Sequence, residues 1–200
     1  GSEMCIRDSD DCVEAAESAG RMLESLGHSV EYSFPHILTD PDTVSRFMAL
    51  WAVGAAMNVK TFSEMLGREI TADDMELMNW VQAEFEQNMS GVDNATALAG
   101  VASYRRECLQ WWADGFDILV TPTLGETPPK IGEHDNNPDR PMDPMRRAAE
   151  WIPFTPPFNT TGQPAISLPL HVAGNGLPVG VQFVADYGRD DLLISLAAQL

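Results

Sequence analysis

The chain has 200 residues, 44% of them hydrophobic, which suits one globular domain with a sizeable buried core. Its 30 acidic side chains outnumber 12 basic ones, so the formal net charge is −18 at pH 7. This charge argues against binding to nucleic acid or to an acidic membrane surface, because both interactions depend on basic groups.

The first predicted elements are a helix and a strand. Apolar residues recur at three- and four-residue spacing from Asp11, Asp10 or Asp11 can cap the helix, and Gly27 can form its left-handed end. Residues 28–34 then alternate apolar and polar side chains, which is typical of a half-buried strand. A helix followed directly by a strand indicates the α/β class.

The middle of the chain predicts a helical layer. Its helices cover residues 42–67, a segment that opens at Thr71, and residues 94–114. Thr71 can cap its helix, and the acidic residues after it suit the positive end of the helix dipole. Methionines and aromatics at helical spacing favour packing over a cofactor site. The expected core residues are Phe47, Leu50, Trp51, Ala55, Met65, Leu98, Val101, Tyr104, Leu109 and Trp112.

The last part of the chain predicts a small sheet with a hairpin. Gly174-Asn175-Gly176 is a turn signal between two apolar runs, because glycine and asparagine tolerate positive φ. In chain order, the elements are a strand at 116–120, a loop at 125–144, a helix at 142–151, strands at 165–168 and 178–184, and a helix from Arg189.

No metal or cofactor is expected from these residues. The 4 histidines never occur at the i, i+4 spacing of two ligands on one helix face, and there is no Cys-x-x-Cys motif. The acidic loop at 133–139 lacks the ligand spacing of an EF-hand, which favours a solvated loop. The Gly174-x-Gly176 pair lies between strands, so a hairpin turn explains it better than a dinucleotide fingerprint does.

No catalytic residue is expected in the chain. Cys108 lies in a helical pattern beside two tryptophans, which favours a buried structural thiol over a nucleophile. Ser90 and Ser167 are predicted in a helix junction and a strand, whereas hydrolase serines usually occupy strained turns. Lys60 and Lys130, the only lysines, form no Ser-x-x-Lys arrangement.

The cysteines of the chain suggest the cellular compartment in which it works. The 3 cysteines are widely spaced and odd in number, which favours reduced thiols in a cytoplasm. No apolar run approaches the roughly 18–20 residues that span a membrane. Residues 1–9 carry no apolar period, and we expect them to be a non-native leader or an assembly error.

Three sequence blocks resemble the amidase signature family. They are residues 104–106 with 116–123, which end in Thr-Pro-Thr, residues 153–169, PFTPPFNTTGQPAISLP, and residues 176–183, GLPVGVQF. The sequence as a whole is similar to those of bacterial amidases of the 6-aminohexanoate cyclic-dimer hydrolase type. The resemblance implies an α/β fold with a mixed β-sheet flanked by helices. Residues 10–200 would be the C-terminal portion of a single amidase domain.

The resemblance also implies an activity that this chain alone lacks. Family members hydrolyse carboxamide bonds through a nucleophilic serine, a bridging serine with a cis peptide and a lysine, near a Gly-Gly-Ser-Ser-Gly-Gly type segment. No such segment occurs here, so the catalytic residues would lie upstream and this chain alone should be inactive. By resemblance, Trp151, Ile152, Thr155 and Pro156 would line the acyl side of the substrate pocket.

Other interpretations stay open. Asn159 to Thr161 can form a tight turn before Gly162 instead of touching a substrate. The parent protein could be the catalytic subunit of a glutamine-dependent tRNA amidotransferase, or a non-catalytic binding module on the same scaffold. The expected partner is a small-molecule amide, with no nucleic acid and no membrane, and the residues do not decide between a monomer and a homodimer.

Overall fold

The computed structural model describes residues 9–40, 42–135 and 137–200, and for residues 43–46 the backbone alone. Only Ser9 of the expected leader at residues 1–9 lies within this range, so that expectation stays a prediction. The helices and strands, in chain order, are α1 (Asp10–Ser25), α2 (Asp42–Leu66), α3 (Leu77–Phe85), α4 (Gly91–Ala113), β1 (Ile118–Pro122), α5 (Asp143–Trp151), α6 (Pro156–Thr161), β2 (Ala165–Val172), β3 (Pro178–Ala185) and α7 (Asp190–Ala197).

The described residues form two compact units. The first contains the chain up to Asp40, Tyr104–Lys130 and Glu150–Leu200, and the second contains the described parts of Pro41–Ser103 and Ile131–Ala149. The sequence predicted that residues 10–200 are the C-terminal portion of one domain of a longer protein. This stays a prediction.

The first unit is built on a three-stranded sheet in the order β1-β3-β2. Both β1 and β2 pair with β3 in antiparallel orientation. The sequence predicted a mixed sheet, and the strands of it that the structure describes are antiparallel. Phe183 lies opposite Val120 on one side and Ile166 on the other. The strands β2 and β3 form the predicted hairpin, with Gly176 at φ 85° in its turn.

Helices cover both faces of this sheet, which confirms the predicted α/β class. On the first face, α1 and α7 pack against alternate residues of β3, and this cluster contains Cys12, Ala15, Ala19, Leu23, Val179, Val181, Phe183, Ala185, Leu193 and Leu196. On the second face, α4 and α6 pack against Val184 of β3 and Leu119 of β1, in a cluster of Cys108, Trp111, Trp112, Leu119, Phe158 and Val184. The period-2 alternation of a strand produces this division.

The second unit is helical. The helix predicted to open at Thr71 is divided into a 3₁₀ turn at Ala72–Asp74 and the separate helix α3. The Asp74 carboxylate accepts from the Thr71 backbone N–H at 3.0 Å and from the Arg68 guanidinium at 2.7 and 2.8 Å. These hydrogen bonds, that of Arg68 first, lower the pKa of Asp74.

Several large apolar side chains of the second unit are exposed. The exposed fraction is 63% for Met57, 53% for Phe62, 75% for Met65 and 59% for Leu66, all on α2. The expectation that Met65 lies in the core is therefore wrong. The same holds for Trp51 and for Leu98, which is 52% exposed, because helical spacing identifies an apolar stripe without identifying what covers it.

Three local predictions in the first unit are also wrong. Residues 28–34 form no strand, and Tyr32 is 95% exposed, because no described strand pairs with this segment. Asn159–Thr161 belong to the short helix α6, which Pro156 begins and Gly162 ends at φ 75°. At α1 the N-cap is Ser9, whose Oγ accepts from the Cys12 N–H, instead of Asp10 or Asp11.

A helix that crosses a bilayer must be both long and apolar. Among the described residues, no helix combines enough length with enough apolar character to cross a membrane.

Candidate functional site

The second face of the sheet changes from apolar to polar along β3. Val184 belongs to the buried apolar cluster of this face. Two residues earlier, Gln182 lies opposite Thr121 of β1 and Ser167 of β2, so three polar side chains cross the sheet in one row. Gln182 is only 4% exposed, and a buried amide requires hydrogen-bond partners.

The Gln182 amide connects three parts of the first unit. Its Nε2 donates to Thr121 Oγ1 and to the backbone carbonyl of Phe154, both at 3.1 Å. A carbonyl oxygen can only accept a hydrogen bond, so the nitrogen end of the amide must face Phe154. The residue therefore attaches the segment at 151–156 to the two strands β1 and β3.

The four predicted substrate-contacting residues lie together on that segment. Trp151 ends α5, Ile152 follows it, and Thr155 and Pro156 begin α6. All four are half-buried. The Gly125 N–H donates to the Trp151 carbonyl at 2.9 Å at one end of the segment. At the other end, Thr160 Oγ1 donates to the Pro156 carbonyl at 3.0 Å, so the backbone is held on both sides.

A pair of hydroxyl groups lies on the same face. Thr123 Oγ1 and Ser167 Oγ are 2.6 Å apart, and they meet above Gly180. A Cβ atom at residue 180 would lie 2.7 Å from Ser167 Oγ and 2.8 Å from Thr123 Oγ1, so only glycine leaves room for this contact. Gln182 and the hydroxyl pair thus lie on the same face of the sheet, and the Gln182 amide alone is bonded to Phe154.

The structure brings no catalytic triad together in the described residues. Ser90 Oγ donates to Asp93 Oδ2 at 2.6 Å and accepts from the Asp93 N–H at 3.2 Å, which is a capping interaction at the start of α4. Ser167 bonds Thr123 instead of a base. No group of three or more histidine, cysteine, aspartate or glutamate side chains in the described ranges could hold a metal ion.

Cys108 is a structural thiol, as predicted. It is 0% exposed, its Sγ lies 3.6 Å from Gln163 Oε1, and Gln163 Nε2 in turn donates to the Ala185 carbonyl at 2.9 Å. Burial raises the pKa of the Cys108 thiol to about 12. A thiol of this kind is protonated at neutral pH and therefore is a poor nucleophile.

We expect Cys108 to make the protein sensitive to alkaline pH. The pKa is raised in the folded state, so the unfolded chain ionises first and stability falls as pH rises above about 9. At pH 10 the loss should be about 1.4 kcal/mol, since one pH unit corresponds to about 1.36 kcal/mol. Urea unfolding at pH 7 and pH 10 should show this loss, and Cys108→Ala should reduce it. An unchanged loss in that variant would contradict the assignment.

Cavities also lie elsewhere in the part of the chain that the structure describes. One of about 270 Å³ is lined in the first unit by Gly162, Gln163, Pro164, Tyr187, Gly188 and Asp190. One of about 300 Å³ is lined in the second unit by Glu76, Met78, Asn79, His134, Asp135 and Pro144. The lining of neither cavity includes any of the four predicted substrate-contacting residues, so their role at a substrate stays a prediction.

Sequence reasoning missed Gln182 and Thr121. A single glutamine inside the apolar run at 178–184 is a signal in itself, because polar residues are rarely buried without a specific partner. The pairing partner could not be read, since it depends on strand register and on Phe154, which is 28 residues away in sequence.

Comparison with known proteins gives these features a context. A family model described as Amidase matches residues 4–194. The 6-aminohexanoate-cyclic-dimer hydrolase of Paenarthrobacter ureafaciens is 34% identical over 195 residues, which cover 95% of this chain and 40% of that protein. The chain thus spans about 40% of the length of the curated relatives that it matches first.

Solved structures agree with the sequence match. The structure of 6-aminohexanoate cyclic dimer hydrolase complexed with substrate superposes with a TM-score of 0.90 at 34% identity, over 96% of this chain and 41% of that chain. A glutamyl-tRNA(Gln) amidotransferase subunit of Thermotoga maritima gives a TM-score of 0.62 at 25% identity, over 94% of this chain and 38% of that one. Because the family match covers nearly the whole sequence, this chain belongs to the amidase family, the amidase signature enzymes.

Proposed function

We propose that this chain is the C-terminal portion of an amidase that hydrolyses carboxamide bonds of small molecules. The observation that carries the proposal is the match to the family over residues 4–194. The relative of known structure has a name that refers to an amide, the cyclic dimer of 6-aminohexanoate. A substrate with an aliphatic acyl chain would suit the half-buried segment at 151–156, of which Ile152 and Pro156 are apolar members.

The chemistry would come from residues outside this chain. In the proposed mechanism, a lysine accepts a proton through the bridging serine, and the nucleophilic serine attacks the amide carbonyl. Backbone amides hold the oxyanion, an acyl-enzyme forms, ammonia or an amine leaves, and water completes the hydrolysis. The present chain would supply a pocket wall and strands of the sheet, and alone it should be inactive.

The experiment compares this chain with the longer native polypeptide. Residues upstream of Asp10 in the native reading frame should contain a lysine and a glycine-rich double-serine segment. The longer protein should hydrolyse linear aliphatic amides, and alanine at either serine should abolish turnover, whereas the 200-residue chain should give none. A complete reading frame without the lysine and serines would exclude the amidase proposal and favour a binding module.

The tRNA amidotransferase is the weaker second candidate. The TM-score falls from 0.90 for the hydrolase to 0.62 for the amidotransferase. A formal charge of −18 also opposes close association with tRNA. Glutamine-dependent activity that requires added partner subunits would support this candidate.

We expect Ile152→Ala to lower kcat/KM of the longer protein at least tenfold for an amide with a long aliphatic acyl group. One methylene in an apolar pocket is worth a factor of about 10 to 200, and this change removes more than one carbon from the wall. Glu150→Ala is the matched control, since Glu150 is an exposed residue of helix α5 next to the segment. Equal kinetics in the two variants would exclude Ile152 from the pocket wall.

A further inference from the structure

We infer that Gln182 is a positioning residue for the substrate-facing segment at 151–156, and that it acts through the backbone carbonyl of Phe154. The inference rests on the proposed amidase function. It assigns a role in that site to a residue of β3 whose side chain need not touch the substrate.

The hydrogen bond from Gln182 to the Phe154 carbonyl has the properties of a specific attachment. Gln182 and Phe154 are 4% and 5% exposed, so water cannot easily replace the hydrogen bond between them. The donor is mounted on β3, the central strand of the sheet, which is paired on both sides. The acceptor lies between Ile152 and Thr155, so the position of one carbonyl fixes the backbone from which those two side chains project.

Further hydrogen bonds hold the segment towards its two ends. The Trp151 carbonyl accepts from Gly125, and the Pro156 carbonyl accepts from Thr160. Gln182 supplies the hydrogen bond in the middle. Without it, the Phe154 carbonyl stays buried and unpaired, or the segment moves to reach water. In either case the wall formed by Ile152 and Thr155 changes position relative to a bound acyl group.

Thr121 provides a matched control within the same hydrogen-bond row. Gln182 Nε2 donates both to Thr121 Oγ1 and to the Phe154 carbonyl, so a change at Thr121 can remove the first bond without removing the second. Gln182→Met keeps the length of the side chain and removes both bonds. Thr121→Val keeps the shape of residue 121 and leaves the bond to Phe154 in place.

The first measurement is hydrogen exchange in the longer protein without any substrate. The Phe158 and Asn159 amides bond the Thr155 carbonyl, so they report on the segment. Exchange of the peptide at 151–159 should be about tenfold faster in Gln182→Met, and changed less than twofold in Thr121→Val. Equal exchange in the two variants would overturn the inference, and this result does not depend on the proposed activity.

The second measurement separates positioning from general loss of structure. With an amide that has a long acyl chain, Gln182→Met should raise KM about tenfold with little change in kcat, whereas acetamide should show neither change. Thr121→Val should behave like the unaltered protein. A lower kcat for both substrates at unchanged KM would mean only that less protein is folded, and it would overturn the inference. Absence of turnover in the unaltered protein would instead reject the proposed function.

Gln182→Glu makes the same contact depend on pH. A protonated carboxyl group can donate to the Phe154 carbonyl, but an ionised one repels it, and burial holds the pKa of such a group above its usual range. KM for the long-chain amide should therefore rise with pH in Gln182→Glu and in no other variant. A KM that is independent of pH in Gln182→Glu would contradict the positioning role of the hydrogen bond to Phe154.

Discussion

Replacing Phe183 by alanine is expected to lower the free energy of unfolding by about 3–5 kcal/mol, because removing a fully buried aromatic ring leaves a cavity. Phe183 is 0% exposed and lies on β3, opposite Val120 and Ile166. It belongs to the cluster in which α1 and α7 pack on the first face of the sheet. Most residues of this cluster lie on strands and helices, which limits how far the structure can collapse into the space.

Chemical unfolding followed by circular dichroism measures this loss. Ile194→Ala is the control, because Ile194 belongs to α7 of the same unit but is 67% exposed. That variant should change stability by less than about 0.5 kcal/mol. Similar losses in both variants would mean that α1 and α7 do not pack on the sheet as described.

Gly180→Ala is expected to cost about 1–3 kcal/mol, which is the usual range for adding a carbon to a tightly packed site. The new Cβ would lie 2.7 Å from Ser167 Oγ, 2.8 Å from Thr123 Oγ1 and 3.2 Å from Thr123 Cβ. The serine hydroxyl can rotate away, but it then loses its 2.6 Å hydrogen bond to Thr123. The threonine Cβ is fixed by the backbone, so part of the clash persists.

Two further variants identify the cause of that loss. Gly174→Ala should be nearly neutral, because a Cβ at residue 174 meets nothing within 4 Å. Adding Ser167→Ala to Gly180→Ala should recover part of the stability, because it removes the contact with the serine hydroxyl. If the double variant were the sum of two independent losses, crowding at residue 180 would be rejected as the reason.

The sequence predicted the elements whose signals are local. The hairpin followed from its Gly174-Asn175-Gly176 turn, and α2 followed from apolar spacing between residues 42 and 67. The first helix was also predicted, although its cap was placed one or two residues late. Signals of this kind depend only on residues that are close in sequence, so they can be read without knowledge of the tertiary structure.

The failures concern features that depend on distant residues. The alternation over residues 28–34 is typical of a strand, but a strand needs a partner, and the Trp111 indole instead donates to Ser33 Oγ at 2.8 Å. Asn159–Thr161 suit a turn locally, yet Pro156 begins a helix there and Gly162 ends it. The four substrate-contacting residues came from family resemblance, whereas the Gln182 contact requires the strand register and became visible only in three dimensions.

The exposed apolar side chains of α2 have a consequence for the behaviour of the chain in salt. Met57, Phe62, Met65 and Leu66 present apolar surface on a molecule whose formal charge is −18. In dilute buffer, mutual repulsion keeps such molecules apart. The distance over which that repulsion acts shrinks from about 10 Å at 0.1 M ionic strength to about 3 Å at 1 M. We therefore expect higher ionic strength to let two of these α2 surfaces approach each other more closely.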